Sequence, residues 1–210
     1  MKIYVVGSSK NKFLPLDNIR EKFLIDQKHE GDNIDFLNPW YCELTGLYYL
    51  WKHCDDDIVG LEHYRRYFVN DKNQLLSENE IRNILKDNDV IASYYICAKN
   101  LISQFTNEEV CKKDYLFNFA YSLELNGLKD IKDFWITYLC KNIFLQCNMF
   151  ICKKEIINEY CELFFNIIKN IEINENNKRI VGYIGEYFLG AFLYYKQYKI
   201  KYIKRRDLCK

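Results

Sequence analysis

The order of apolar and polar segments predicts an α/β fold, with a mainly parallel sheet flanked by helices in a single compact domain. Three observations carry that expectation. Short apolar runs of strand type alternate with longer runs of helical period along the whole chain, the pattern of βαβ units. The 210 residues include only 8 Gly and 2 Pro, where average usage gives roughly 15 and about 10. So few turn formers disfavour a many-stranded sandwich, barrel or propeller. A chain of this length with 49% hydrophobic residues can also bury one full core, about 70% of its unfolded surface.

The elements follow in order. Ile3 to Val6 is an apolar run of buried-strand type, and Gly7 to Lys10 is the polar turn after it. Asp26 to Asn38 is polar. Asn38-Pro39 marks a helix start, with Asn as N-cap and Pro at the first helical position. Trp40, Leu44, Leu47, Tyr48 and Trp51 share one helical face, and the helix should stop near Cys54. Ile58 to Leu61 is a second buried strand, with Glu62 to Phe68 at its carboxyl end. Ser77 and Glu80 form a capping box before a short helix that turns Ile81, Ile84 and Leu85 inward. Asp89 to Tyr95 is a strand candidate. Thr106 and Glu109 suggest another capping box, opening a helix to about Leu125, and a further helix covers about Ile131 to Asn142. Phe144 to Cys152 has strand character. Ile156, Ile157, Tyr160, Leu163, Phe164, Ile167, Ile168 and Ile171 form an amphipathic helical stripe. Val181 to Gln197 is helical after a polar loop, and Ile200 to Ile203 is a candidate last strand. No internal repeat or linker marks a second domain.

Composition excludes several classes. The charges nearly cancel, 30 basic against 29 acidic residues, unlike a general nucleic-acid binder with its basic excess. Nine cysteines cannot all pair within the chain, and C-x-x-C is absent. His53-Cys54 with His63 is the closest approach to a metal cluster, and ordinary reduced cysteines are the preferred reading over a zinc site. Free thiols suit a reducing cytosol. No apolar run has signal-peptide or membrane-span length, so a soluble, cytoplasmic protein is expected.

In open α/β sheets ligands bind at the carboxyl ends of strands. Gly7 to Lys10, Glu62 to Phe68 and the surroundings of Asn148 fall there. The second stretch places an acid, an imidazole and two guanidiniums directly after a buried strand. Arginine forks suit phosphate oxygens, and Glu62 with His63 suits a metal or proton transfer. A solvated turn with structural ion pairs is the competing reading. Asp55-Asp56-Asp57 precedes its strand, so a solvated turn is expected there. Glu186 sits in a helix beside Gly182 and Gly185, which signal close approach of a backbone or a ligand.

Several strings match one bacterial family in sequence order. They are Gly31-Asp32-Asn33-Ile34 with Asn38, Tyr41-Cys42-Glu43-Leu44-Thr45 with Tyr48 and Trp51, and Gly60-Leu61 followed by His63-Tyr64-Arg65-Arg66-Tyr67-Phe68. Asn148-Met149-Phe150-Ile151 and Arg179 with Gly182, Tyr183 and Glu186 complete the set. The chain resembles capsular-polysaccharide glycosyltransferases long catalogued as a domain of unknown function, among them galactofuranosyltransferases that use UDP-galactofuranose. The resemblance implies a GT-A-like (Rossmann-like) transferase domain over residues 1–195, followed by a basic tail, 196–210. It implies transfer of a sugar, galactofuranose or galactose, from a nucleotide-diphosphate donor to a glycan acceptor in capsule or other surface-polysaccharide synthesis. The chain departs from the family at Ser9, Asp35 and Tyr187, and between about Asn100 and Asn142.

The implied site has Glu186 as general base and His63 as a second catalytic group. Lys10, Asp32, Asn33, Asn38, Arg65, Arg66 and Arg179 would hold the donor and its diphosphate. Asn148, Met149 and Tyr64 would line the sugar or acceptor side. Two electrostatic schemes remain open: a weak Mn2+ or Mg2+ site using Glu62, or neutralisation of the diphosphate by Arg65, Arg66 and Lys10 without metal, which is preferred because the second Asp of a D-x-D motif is missing. The tail carries seven Lys/Arg and one Asp and could rest on the anionic inner face of the plasma membrane, near a lipid-linked acceptor; a frayed terminus is the alternative. Tyr64, Tyr67, Phe68, Tyr183 and Tyr187 are candidate walls of the site. A non-catalytic nucleotide-sugar binder and a helix-rich interaction module are the competing functions.

Overall fold

The structure is a computed structural model that describes residues 1–208. The chain begins with β1 (Lys2–Gly7) and β2 (Arg20–Leu24), then passes a 3-10 turn into α1 (Asn38–Tyr41) and α2 (Leu44–His53). Next come β3 (Ile58–His63), β4 (Arg66–Phe68), α3 (Glu78–Ile84), β5 (Val90–Ile96), α4 (Leu101–Phe105), α5 (Lys113–Leu125) and α6 (Lys129–Leu139). The remaining elements are β6 (Ile143–Lys153), α7 (Lys154–Ile168), α8 (Ile180–Tyr195), β7 (Ile200–Tyr202) and β8 (Arg205–Asp207).

The main sheet path is β2-β1-β3-β6-β5-β7. Five of these six strands run the same way and β6 runs against both neighbours, so the sheet is mainly parallel. Alternation along each strand sorts side chains between two cores. Tyr4, Val6, Val59, Leu61, Val90 and Ala92 face the larger one, with the inward faces of α2 and α5 to α8. Ile3, Ile58, Ile91 and Ile151 face a smaller one with Ile81 and Leu85.

Two departures from the expected strands matter for the site. In the β5–β6 pair Ala92 lies opposite Phe150 but Tyr94 lies opposite Leu145. Gln146, Cys147, Asn148 and Met149 therefore bulge opposite Ser93 alone. Cys147 and Asn148 both adopt left-handed backbone, with φ of 68° and 51°. Such bulges re-aim side chains beside functional sites. Secondly, the segment expected as a basic tail is not set apart from the sheet. Ile200–Tyr202 pairs with β5, and Arg205–Asp207 pairs with β4. The lysines at 196, 199, 201 and 204 stay exposed.

Local signals fared unequally. The Ser77–Glu80 capping box forms. The Thr106–Glu109 box does not: Asn100 caps α4, Thr106 ends it, and α5 begins only at Lys113. Asn38 is the first helical residue rather than the cap, and the expected single helix breaks at Cys42, where φ is 52°.

Candidate active site

A cleft of about 500 Å³ opens at the carboxyl ends of β1 and β3. The chain leaves β1 toward β2 on one side and returns as β3 on the other, and such a switch point leaves a crevice where ligands bind. The volume suits a small-molecule ligand. Gly7 ends β1 at the cleft, where a Cβ would lie 2.9 Å from Tyr64 Cβ and 2.8 Å from the Phe13 ring. Only glycine leaves room for that approach.

The β6 bulge organises the cleft's chemistry. Cys147 N–H donates to Glu186 Oε1, and the Cys147 carbonyl accepts from His63 Nε2 at 2.6 Å. Because a carbonyl can only accept, Nε2 carries a proton. Burial lowers the His63 pKa, against an opposing pull from Glu43, so the ring is neutral near pH 7 and Nδ1 is its acceptor. Asn148 Nδ2 donates to Glu43 Oε1 at 2.7 Å and to the Gly182 carbonyl at 3.1 Å. Two adjacent bulge residues thus hold three titratable side chains that line the cleft.

Glu186 projects from α8. Burial is the main cause that pushes its pKa up to about 7; the Cys147 N–H opposes the shift, Glu43 adds to it, and Arg66 and Arg205 oppose it more weakly. A carboxylate balanced near neutrality suits proton acceptance from a hydroxyl. A Cβ on Gly185 would lie 2.7 Å from Leu44 Cδ1. The glycine beside Glu186 thus lets α8 pack tightly on α2.

Arginines from separate segments rim the cleft. Arg65 lies 5.7 Å from the Tyr64 ring centroid and Arg179 lies 4.9 Å from that of Tyr183. Arg66 pairs with Asp207 at 3.4 Å. Arg205 donates to Gln146 Oε1 at 2.9 Å, bracing the bulge from β8.

The structure brings together His63, Tyr64, Arg65, Arg66, Arg179 and Glu186. It places the other expected site residues elsewhere. Glu62 points to the opposite face from His63, as neighbours on a strand must. It is fully buried, accepting from Arg20 Nε at 2.7 Å and from the Phe68 N–H at 2.9 Å. That saturated ion pair does not fit a metal ligand in the cleft. Asn148 is a buried connector and Met149 belongs to the smaller core. Asn33 closes its own turn through the carbonyls of His29 and Gly31. Asp32 accepts from the Tyr48 hydroxyl. Asn38 and the exposed Lys10 lie outside the cleft lining. Tyr67 and Phe68 are core residues, while Tyr64, Tyr183 and Tyr187 do line the cleft. Asp57 pairs with Arg82 at 2.7 Å, as a turn residue. His53 turns to the Asp32 carbonyl. Among the described residues no three His, Cys, Asp or Glu side chains are placed to hold a metal ion.

Glu43, Gln146, Cys147 and Arg205 were not singled out from the sequence. Glu43 stood inside a matched string, and its place just before an apolar helical run was the available signal. Arg205 has no local signal, because only the β4–β8 pairing brings it to the bulge.

Known proteins extend these findings. The fold is similar to the apo structure of the bifunctional glycosyltransferase WbbM, with a TM-score of 0.85 and 23% identity. The match covers 100% of this chain and 45% of that one, so the chain spans under half the length of that protein. A search of curated proteins returns no match. Residues 2–197 match the family model described as "Domain of unknown function (DUF4422)", and the chain therefore belongs to the DUF4422 family.

Proposed function

We propose that this domain transfers a sugar from a nucleotide-diphosphate donor, a UDP-sugar, to a hydroxyl of a glycan acceptor. The observation that carries the reading is Glu186: a carboxylate with no bonded cation among the described residues, raised to about 7, in an arginine-rimmed cleft at the sheet's switch point. The likeness of fold to a glycosyltransferase supports it. The acceptor oxygen attacks the anomeric carbon, and its proton passes to a Glu186 carboxylate oxygen. The bond from that carbon to the diphosphate oxygen breaks, and the departing charge is met by Arg65, Arg66 and Arg179. The neutral His63 supplies a hydrogen-bond acceptor beside them.

The finer reading is galactofuranose or galactose as the sugar, and capsule or another surface polysaccharide as the product. A lipid-linked acceptor would suit the exposed lysines at 196, 199, 201 and 204, which offer contact with the cytoplasmic face of an anionic membrane. The arginines take the place of a metal. Mn2+ or Mg2+ would have to bind through the diphosphate and a carboxylate other than Glu62.

A thermal-shift screen of UDP, GDP, CDP and their sugars, with and without manganese, tests the first step. A donor at 100 times its Kd adds about 2.7 kcal/mol of stability, and UDP-sugars are the expected hits. Turnover retained in excess chelator is the expected second result. Loss of turnover restored by manganese would overturn the metal-free scheme, and binding without any turnover would make the domain a binder.

A further inference from the structure

We propose that Glu43 recognises a sugar ring, accepting hydrogen bonds from its hydroxyls through Oε2. The inference rests on the transferase reading. Glu43 follows the left-handed Cys42 in the break between α1 and α2, at the N-cap position of α2, yet its side chain makes no cap hydrogen bond. It turns into the cleft instead. There a side-chain amide that is 1% exposed fixes one of its oxygens. Asn148 spends its second amide proton on the Gly182 carbonyl, so this amide cannot flip without setting oxygen against oxygen. Among the described residues Glu43 Oε2 has no hydrogen-bond donor and Glu43 has no salt-bridge partner.

The position limits what this carboxylate can meet. The bulge that aims it also holds His63 and Glu186, so it stands beside the reacting centre. A fixed negative charge there repels a diphosphate, which the arginines attract. It must therefore face the uncharged portion of the substrates, and the donors available on that portion are hydroxyls. Hydrogen bonds from hydroxyls to a carboxylate are charge-assisted, and a site built around them rejects analogues that lack the hydroxyl. The hydroxyls could belong to the donor sugar or to the acceptor sugar.

Glu43→Gln keeps the shape and removes the charge. In the donor arm, affinities for UDP and for each UDP-sugar that stabilises the parent are measured by calorimetry. In the acceptor arm, transfer from the same UDP-sugar is followed against methyl β-galactofuranoside and methyl β-galactoside. Donor recognition lowers the preference for UDP-sugar over UDP by about tenfold or more, with UDP affinity unchanged. Acceptor recognition leaves that preference intact and raises the acceptor KM by a similar factor. Asn148→Gly, which tolerates the left-handed backbone and frees Glu43, should reproduce part of the same loss. A variant that alters neither readout, or that weakens UDP and UDP-sugar equally, overturns the role of Glu43 alone. A parent chain that binds no UDP-sugar overturns the transferase reading as well.

Discussion

Glu62 and Glu186 lie on opposite sides of the sheet, Glu62 fully buried and Glu186 half-buried at the wall of the cleft. Glu62 has a guanidinium at 2.7 Å and a backbone N–H at 2.9 Å. Arg20, its partner, is held in turn by Asp17 and the Leu76 carbonyl. Every strong donor and acceptor in that cluster is satisfied, and its charge is locked into structure. Glu186 has one backbone N–H from Cys147 and no cation bonded to it among the described residues. Desolvation is met by an ion pair on one side and leaves a carboxylate with a pKa raised to about 7 on the other. What separates scaffold from chemistry is the partner that the fold supplies.

The largest expected effect breaks the Glu186 side. Glu186→Gln should lower transfer by roughly 10²–10⁴-fold, the range for a general base, with UDP-sugar binding kept. The pH dependence sharpens it. A base with a pKa of about 7 is mostly protonated at pH 6. Transfer should rise with pH up to about 7 and level above it, and the Gln variant should lose that rise.

The stability of the same variant separates the two carboxylates further. The folded pKa of about 7 lies above the ordinary 4.5, so the folded chain keeps a proton that the unfolded chain releases between those values. Stability falls as pH rises through that window, and the cost is complete above it. Glu186→Gln should therefore be the more stable protein at pH 8, by at most about 3 kcal/mol, with the gap closing toward pH 4. Urea unfolding at the two pH values checks the sign.

Glu62 should behave in the opposite way. Arg20→Met leaves a buried carboxylate unpaired and should cost about 3–5 kcal/mol, while Arg20→Met with Glu62→Met should recover most of it. If the pair is purely structural, kcat in the surviving folded fraction is unchanged. The smallest effect is expected at Lys10, exposed outside the cleft lining. Lys10→Ala should shift donor affinity by less than about threefold, and a larger loss would place Lys10 on the diphosphate.

The expected architecture came through because it rests on local periodicity. β1, β3, β5, β6, α7 and α8 each carry an apolar pattern long enough to declare itself. The strands β2, β4 and β8 did not, since Arg20–Leu24 and Arg205–Asp207 are dominated by charge and Arg66–Phe68 is only three residues long. The site was half legible. The string from His63 to Arg66 and the pair Arg179 and Glu186 do meet in the cleft. Glu62, the metal ligand of the less favoured scheme, turns to the face opposite His63, as the two-residue period of its own strand already required. Asn148 was expected on the sugar or acceptor side; it is buried and bonds Glu43, which lines the cleft in its place.

Local sequence carried the alternation of strands and helices, the arginine cluster at a strand end and the carboxylate in a glycine-bearing helix. Each is a property of residues within one or two turns of each other. Tertiary structure alone decided that Cys147 would join His63 to Glu186, that Asn148 would aim Glu43, and that Arg20 would claim Glu62. Those partners are 84, 39, 105 and 42 positions apart. A carboxylate becomes an ion pair, a base or a sugar ligand only through the groups packed around it, and residues that distant become neighbours only when the sheet is assembled.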